Sequence, residues 1–200
     1  MTTDAKPTSR ERLLEAAATL TYRDGVGVGV EALCQAAGVS KRSLYQLFES
    51  KDELLATSLK EGAAAFVAGL LPPSDDGREP RARIMHVFAH LEAQAGTPGF
   101  HGCRYLAAQI ELKDQRHPAS RVARRIKRNL LGFFRREAEA GGAAEPDLLA
   151  RQLLVVFDGA SARAGIGVDD LKGLVVPTVT ALLDAAGLRR PVTPEAPGRR

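Results

Sequence analysis

Lys41, Arg42, Ser43, Tyr45 and Gln46 crowd into one short stretch that opens on Ser40. Each carries a hydrogen-bonding group, and at helical spacing they share one outward face. Guanidinium, ammonium, hydroxyl and amide groups arranged this way suit the base edges of the DNA major groove and the phosphates beside them. Leu44, Leu47 and Phe48 lie on the opposite face and anchor it. Just upstream, Val30 to Ala37 reads as another short helix, with Leu33, Ala36 and Ala37 inward. Gly38 between them tolerates φ > 0 or a close approach, and Val39 plugs the turn. Such a pair matches a helix-turn-helix, whose second member meets base edges with its N-terminal residues. A helical hairpin with a solvated polar face would show the same amphipathic pattern.

Other constellations point to chemistry less sharply. His86 and His90 stand at i, i+4, and His101 could join them. With no nearby Cys or carboxylate motif, pocket-lining or partly exposed histidines are favoured over a metal site. Glu111, Asp114 and His117 fit a polar helix end. There is no Gly-rich phosphate loop, nucleophile elbow or zincin histidine pair, so neither catalysis nor a cofactor is expected. Cys34 and Cys103 read as small buried hydrophobes, without the flanking charges that mark a reactive thiolate.

These residues need elements to position them, and helical periodicity dominates the 200-residue chain. The fold class expected is all-α: a three-helix helix-turn-helix domain followed by a second helical domain. Thr8 with Glu11 and Ser50 with Glu53 form capping boxes that open helices at about Ser9–Arg23 and Lys51–Leu70. Pro72-Pro73-Ser74-Asp75-Asp76-Gly77 is the clearest break. Beyond it, helices are expected at about Pro80–Gln94, Cys103–Lys113, Pro118–Ala140, Asp147–Ala164 and Asp170–Ala186, with Pro177 kinking or splitting the last. The domain plan is a disordered arm at 1–8, the helix-turn-helix at 9–50 and a connecting helix at 51–71. The second domain spans 78–188, and a disordered tail spans 189–200.

Composition sets outer bounds. The 44% hydrophobic content can build a core, and no run approaches the ~20 apolar residues of a membrane span. The polar start and two scattered cysteines suit a reducing cytoplasm. Net charge is +4, yet residues 1–60 hold eight basic and eight acidic side chains. Attraction to DNA must therefore come from basic groups gathered on one side, as Lys41, Arg42 and Lys51 are.

Over residues 10–59 the chain resembles the TetR family of regulators. Arg10, Leu13-Leu14, Ala16-Ala17 and Gly25 match its opening. Ala37-Gly38-Val39-Ser40-Lys41, Ser43-Leu44-Tyr45, Phe48, Ser50-Lys51 and Leu54-Leu55 match its most specific signature. The resemblance implies that Ser40, Lys41, Arg42 and Ser43 face bases or nearby phosphates. It implies that Tyr45 and Gln46 hold the backbone, and that Lys51 holds a phosphate at a helix N-terminus. Gln46 stands where the family often has His, and Gly29 where it often has a hydroxyl. The segment from Gly102-Cys103 to His117-Pro118 resembles one subgroup. The implied function is a cytoplasmic, dimeric repressor of transcription, bound to a near-palindromic double-stranded operator and released by a small hydrophobic effector.

The resemblance implies that the C-terminal half is a helical ligand-binding and dimerisation domain. In it, His86, Phe88, Cys103, Tyr105, Leu106, Gln109, Phe133, Phe134 and Phe157 are the candidates to line an effector pocket. Each apolar one could equally be plain core. In the basic run from Arg121 to Arg128 the arginines read as a solvated helix face, since Val122, Ile126, Leu130 and Phe133 recur at helical spacing. The segments near 147–164 and 170–186 are apolar on nearly every side, which suggests a homodimeric four-helix interface. A helical small-molecule carrier or adaptor is the main alternative, although such a protein needs no Lys-Arg-Ser at a helix start.

Overall fold

A computed structural model describes residues 6–74 and 76–188, so the expected tail and most of the expected arm lie outside it. Among the described residues all regular structure is helical. The order is α1 (Ser9–Asp24), α2 (Val30–Ala37), α3 (Lys41–Leu47), α4 (Lys51–Glu61) and α5 (Ala63–Leu70). There follow α6 (Pro80–Ala95), α7 (Arg104–Leu112), α8 (Pro118–Ala140), α9 (Pro146–Gly165) and α10 (Val175–Ala185).

Local signals account for most starts. The Thr8 hydroxyl accepts the Glu11 N–H while the Glu11 carboxylate accepts the Thr8 N–H, a complete capping box. Ser40 and Ser50 accept the N–H of the residue three further on. Pro80, Pro118 and Pro146 occupy first turns, where a missing N–H costs nothing. Gly38 closes α2 in the left-handed conformation at φ 62°.

Two cores result. Leu13, Ala17, Leu33, Leu44, Phe48 and Leu54 form the first. Ile84, Phe88, Tyr105, Phe134, Phe157 and Val179 belong to the second, with the Phe88 and Phe134 rings stacked 5.5 Å apart. The boundary does not fall at the Pro72-Pro73 break. Leu54 and Leu55 belong to the first core, Leu70 to the second, and Leu59 touches both. Ala119, from the first turn of α8, is wholly buried in the first core.

Five expectations need correction. The helix expected over 51–70 is interrupted at Gly62, which ends α4 and begins α5. The last helix starts at Val175 rather than Asp170, because the Glu92 carboxylate of α6 accepts the Gly173 and Val176 N–H groups there. Pro177 thus sits in a first turn and neither kinks nor splits the helix. Leu47 is 41% exposed rather than an anchor, and Ala36 is exposed while Cys34 takes the inward place. Lys127, beside the arginines expected on the solvated face, is buried, ion-paired with Asp158 and set 4.9 Å from the Phe157 ring centroid.

Candidate nucleic-acid interface and pocket

Burial of Leu44 and Phe48 fixes how α3 is rolled, and so which side chains it offers outward. Lys41, Arg42, Tyr45 and Gln46 are exposed, and Ser43 is half-buried. Ser40 does two jobs, since its hydroxyl caps α3 and lies 2.9 Å from the Ser43 hydroxyl. Lys41 pairs with Glu31 of α2 at 2.7 Å; that bond raises the ammonium pKa and lowers the carboxylate's. Arg42 makes no ion pair or hydrogen bond among the described residues. Lys51 is half-buried, and its Nζ donates to the Val26 and Val28 carbonyls at 3.1 and 3.0 Å. It fastens the loop between α1 and α2 to the start of α4. Burial pushes the Cys34 thiol up, in keeping with a packing group.

That loop is gripped from the other side as well. The Glu111 carboxylate of α7 accepts the Val26 N–H at 2.7 Å, and a Cβ on Gly25 would stand 2.5 Å from its Oε2. Gly25 has φ 87°, a conformation open to glycine, so residue type and conformation agree here. His117 caps α8 by accepting the Ala119 N–H on Nδ1, and its Nε2 lies 3.3 Å from Asp52 of α4. Contacts of this kind, between residues far apart in sequence, were beyond sequence reasoning.

Between α1, α5, α6, α7 and α9 lies a cavity of about 250 Å³. Of the nine residues expected to line a pocket, Cys103 and Phe157 do. Phe88, Tyr105, Phe133 and Phe134 are core, and Leu106 packs against it. The Tyr105 hydroxyl donates to the Leu59 carbonyl at 3.0 Å, and burial raises its pKa to about 12. Gln109 lines a separate surface recess with Arg124. His86 is half-buried, its Nδ1 2.7 Å from Arg78 Nη1. Neighbouring His90 does reach the cavity, on the next turn of α6. Among the described residues no cluster of three metal-ligating groups occurs.

Sequence reasoning missed Tyr22, Phe66, Phe100, Arg104 and Ser161, which also line the cavity. Tyr22 belongs to α1. The Arg104 guanidinium lies 4.8 Å from its ring centroid, and its hydroxyl accepts the His101 N–H at 3.0 Å. The loop before α7 can press on α9 because glycines face backbone there. A Cβ on Gly102 would sit 2.6 Å from the Ser161 carbonyl oxygen, and one on Gly165 2.6 Å from that of His101. The aromatic residues and the Gly102-Cys103-Arg104 run are visible in the sequence, but their meeting point depends on this packing.

Among the described residues, no helix is long and apolar enough to cross a membrane. A search of curated proteins found no match. A family model described as bacterial regulatory proteins, tetR family, matches residues 13–57. A crystal structure of a TetR transcriptional regulator from Streptomyces avermitilis is 74% identical. It aligns over 92% of this chain and 100% of its own, with a TM-score of 0.90. A TetR-family regulator from Streptomyces coelicolor is 24% identical over 89% of this chain and 95% of its own, with a TM-score of 0.78. Reduced NemR from E. coli is 24% identical over 86% and 95%, with a TM-score of 0.74. These last two share the fold. The sequence signature, the model match and the relative at 74% identity agree that the chain belongs to the TetR family of bacterial regulatory proteins.

Proposed function

We propose that this DNA-binding transcriptional regulator is a homodimeric repressor, held on a near-palindromic operator and released by a small hydrophobic effector. The observation that carries the reading is the outer face of α3, where Lys41, Arg42, Tyr45 and Gln46 stand in solvent on a helix anchored by Leu44. In this reading Arg42 reads a base edge, while Ser40, Lys41, Ser43, Tyr45 and Gln46 hold neighbouring bases or backbone. Lys51 spends two N–H donors on the loop carbonyls and keeps a third for a phosphate.

Dimerisation through α9 and α10 is supported by large apolar side chains left at the surface of one chain. Leu148 is 43% exposed, Val155 71% and Leu174 47%. A second copy would cover them in a four-helix arrangement. Its two reading helices would then meet major grooves about 34–36 Å apart, or a multiple of that. The effector's place is the cavity walled by Phe157 and Cys103, which touches α1 through Tyr22. An effector favouring a splayed dimer over the DNA-fitting one would release DNA, with a coupling of ~1–3 kcal/mol.

Light scattering, with mobility shifts on duplexes selected from random sequence, tests the reading. A dimer at micromolar concentration, selecting an inverted repeat with affinity that falls steeply with salt, is expected. A monomer that enriches no sequence would overturn it.

A further inference from the structure

We infer that the cavity between α1, α5, α6, α7 and α9 takes a small apolar molecule bearing one anionic group, a carboxylate above all, seated at the start of α7. Its regulatory meaning rests on the effector reading above; the binding itself does not.

Shape and apolar lining come first. Phe66, Leu70, Leu91, Phe100 and Phe157 supply the walls. A volume of about 250 Å³ falls just below the ~300–1,000 Å³ range of drug-sized sites, so the guest is small. One side of the cavity is the start of α7 at Arg104, with no side-chain cap on the first N–H groups, where Gly102 faces the Ser161 carbonyl. That end of a nine-residue helix carries the positive pole of its dipole. Ser161 is 1% exposed, lines the same cavity, and its hydroxyl has no hydrogen-bond partner. Arg104 is half-buried and has no ion pair among the described residues.

Among the described residues no acidic side chain lines the cavity, whose other polar residues are Tyr22, His90 and Gln94. The start of α7, Ser161 and Arg104 together offer helix N–H groups, an unpaired hydroxyl and a guanidinium. A carboxylate offers acceptors alone and satisfies all three. A cationic guest would meet Arg104, and a hydrocarbon would leave Ser161 unpaired in a dry site.

The same guanidinium braces two other elements. It covers the Tyr22 ring of α1, and its Nη1 lies 3.9 Å from where a Cβ on Gly62 would stand, at the α4–α5 break. An anion that draws Arg104 inward loosens its hold on both. The guest's charge, rather than its bulk, is then what α1 senses.

Calorimetry on the full chain decides the matter, with 2-naphthoate and octanoate as probes against their uncharged amides, 2-naphthamide and octanamide. Wild-type protein is expected to bind the acids at least about tenfold more tightly than the amides. R104Q and S161A should each weaken binding of the acids more than of the amides, shrinking that preference. Circular dichroism checks that each variant is folded, and S161A carries the test if R104Q is not. Equal binding of acid and amide, a preference that survives in the folded variants, or no binding of either probe class at millimolar concentration overturns the inference. Selection of duplexes from random DNA is run separately. A chain that selects DNA yet binds no acid refutes this inference and leaves the α3 reading standing; one that binds acids yet selects no DNA does the reverse.

Discussion

In the N-terminal unit, α1, α3 and α4 each start on a hydroxyl that accepts an N–H three residues away. In the bundle, α6, α8 and α9 start on prolines, and the cap of α10 comes from Glu92 on another helix. The cores differ as well. Phe48 is the one aromatic ring among the buried residues of the first, whereas Phe88, Tyr105, Phe133, Phe134 and Phe157 fill the second. Local caps specify where the helices of the head begin, each over a few residues. Aromatic packing between distant helices specifies the bundle, and with it the shape of the cavity. The helix starts of the DNA-binding head thus follow local rules, and the cavity follows long-range ones.

The largest effect should come from asking whether these two constructions melt apart. Phe134→Ala removes a wholly buried ring and should cost about 3–5 kcal/mol. Ala119 in the first core, Glu111 on Val26 and His117 beside Asp52 tie the units together, so both should unfold in one transition. Circular dichroism with amide exchange resolved by residue would report it. Two separate transitions would mean that the ties are ornamental.

Next in size is the division of labour on the reading head. Arg42→Ala should cost about 1–3 kcal/mol on the selected operator and much less on random duplex. Lys51→Ala should weaken both alike and lower the salt slope by about one unit. It should also speed amide exchange in the loop from Gly25 to Val28, because its Nζ holds two carbonyls there. Equal loss by Arg42→Ala on specific and random DNA would make Arg42 a backbone contact.

The smallest effect lies in the bundle and is a pH dependence. Burial, then the charge of Arg78, then that of His90 hold the His86 pKa below its usual value. A histidine depressed in the folded state protonates more readily when unfolded. Its stabilising contribution is therefore present above the ordinary value near 6.5 and is lost as pH falls below that. Wild-type Tm should fall from pH 7 to pH 5 more than that of His86→Gln. Parallel curves would show that His86 is solvated.

How much of this was readable beforehand follows the same division. Residues 9–61 carry their instructions within reach: Thr8 with Glu11, Gly38, and Ser50 with Glu53 each mark a boundary that the helices respect. Pro118 to Ala140 was equally plain, bracketed by a proline and Gly141. The last helix was misplaced because its start depends on Glu92, more than eighty residues away. The burial of Lys127 was not readable, because no periodicity reveals that Asp158 and the Phe157 ring stand opposite it on α9. The cavity was foreseen in kind, but its lining draws on five helices, including an α1 tyrosine that a division into head and bundle would assign elsewhere.

A chimera cut at Pro72-Pro73 and fused to a foreign bundle would strip the head of parts that it does not encode. Gly25 and Val26 would lose the carboxylate of Glu111, and the first core would be left with a hole where Ala119 sat. The transferable cassette is therefore discontinuous, residues 9–61 travelling with 111–119. Recombination between paralogues at the linker would yield heads that still carry every side chain of the outer α3 face yet hold them in a loosened frame.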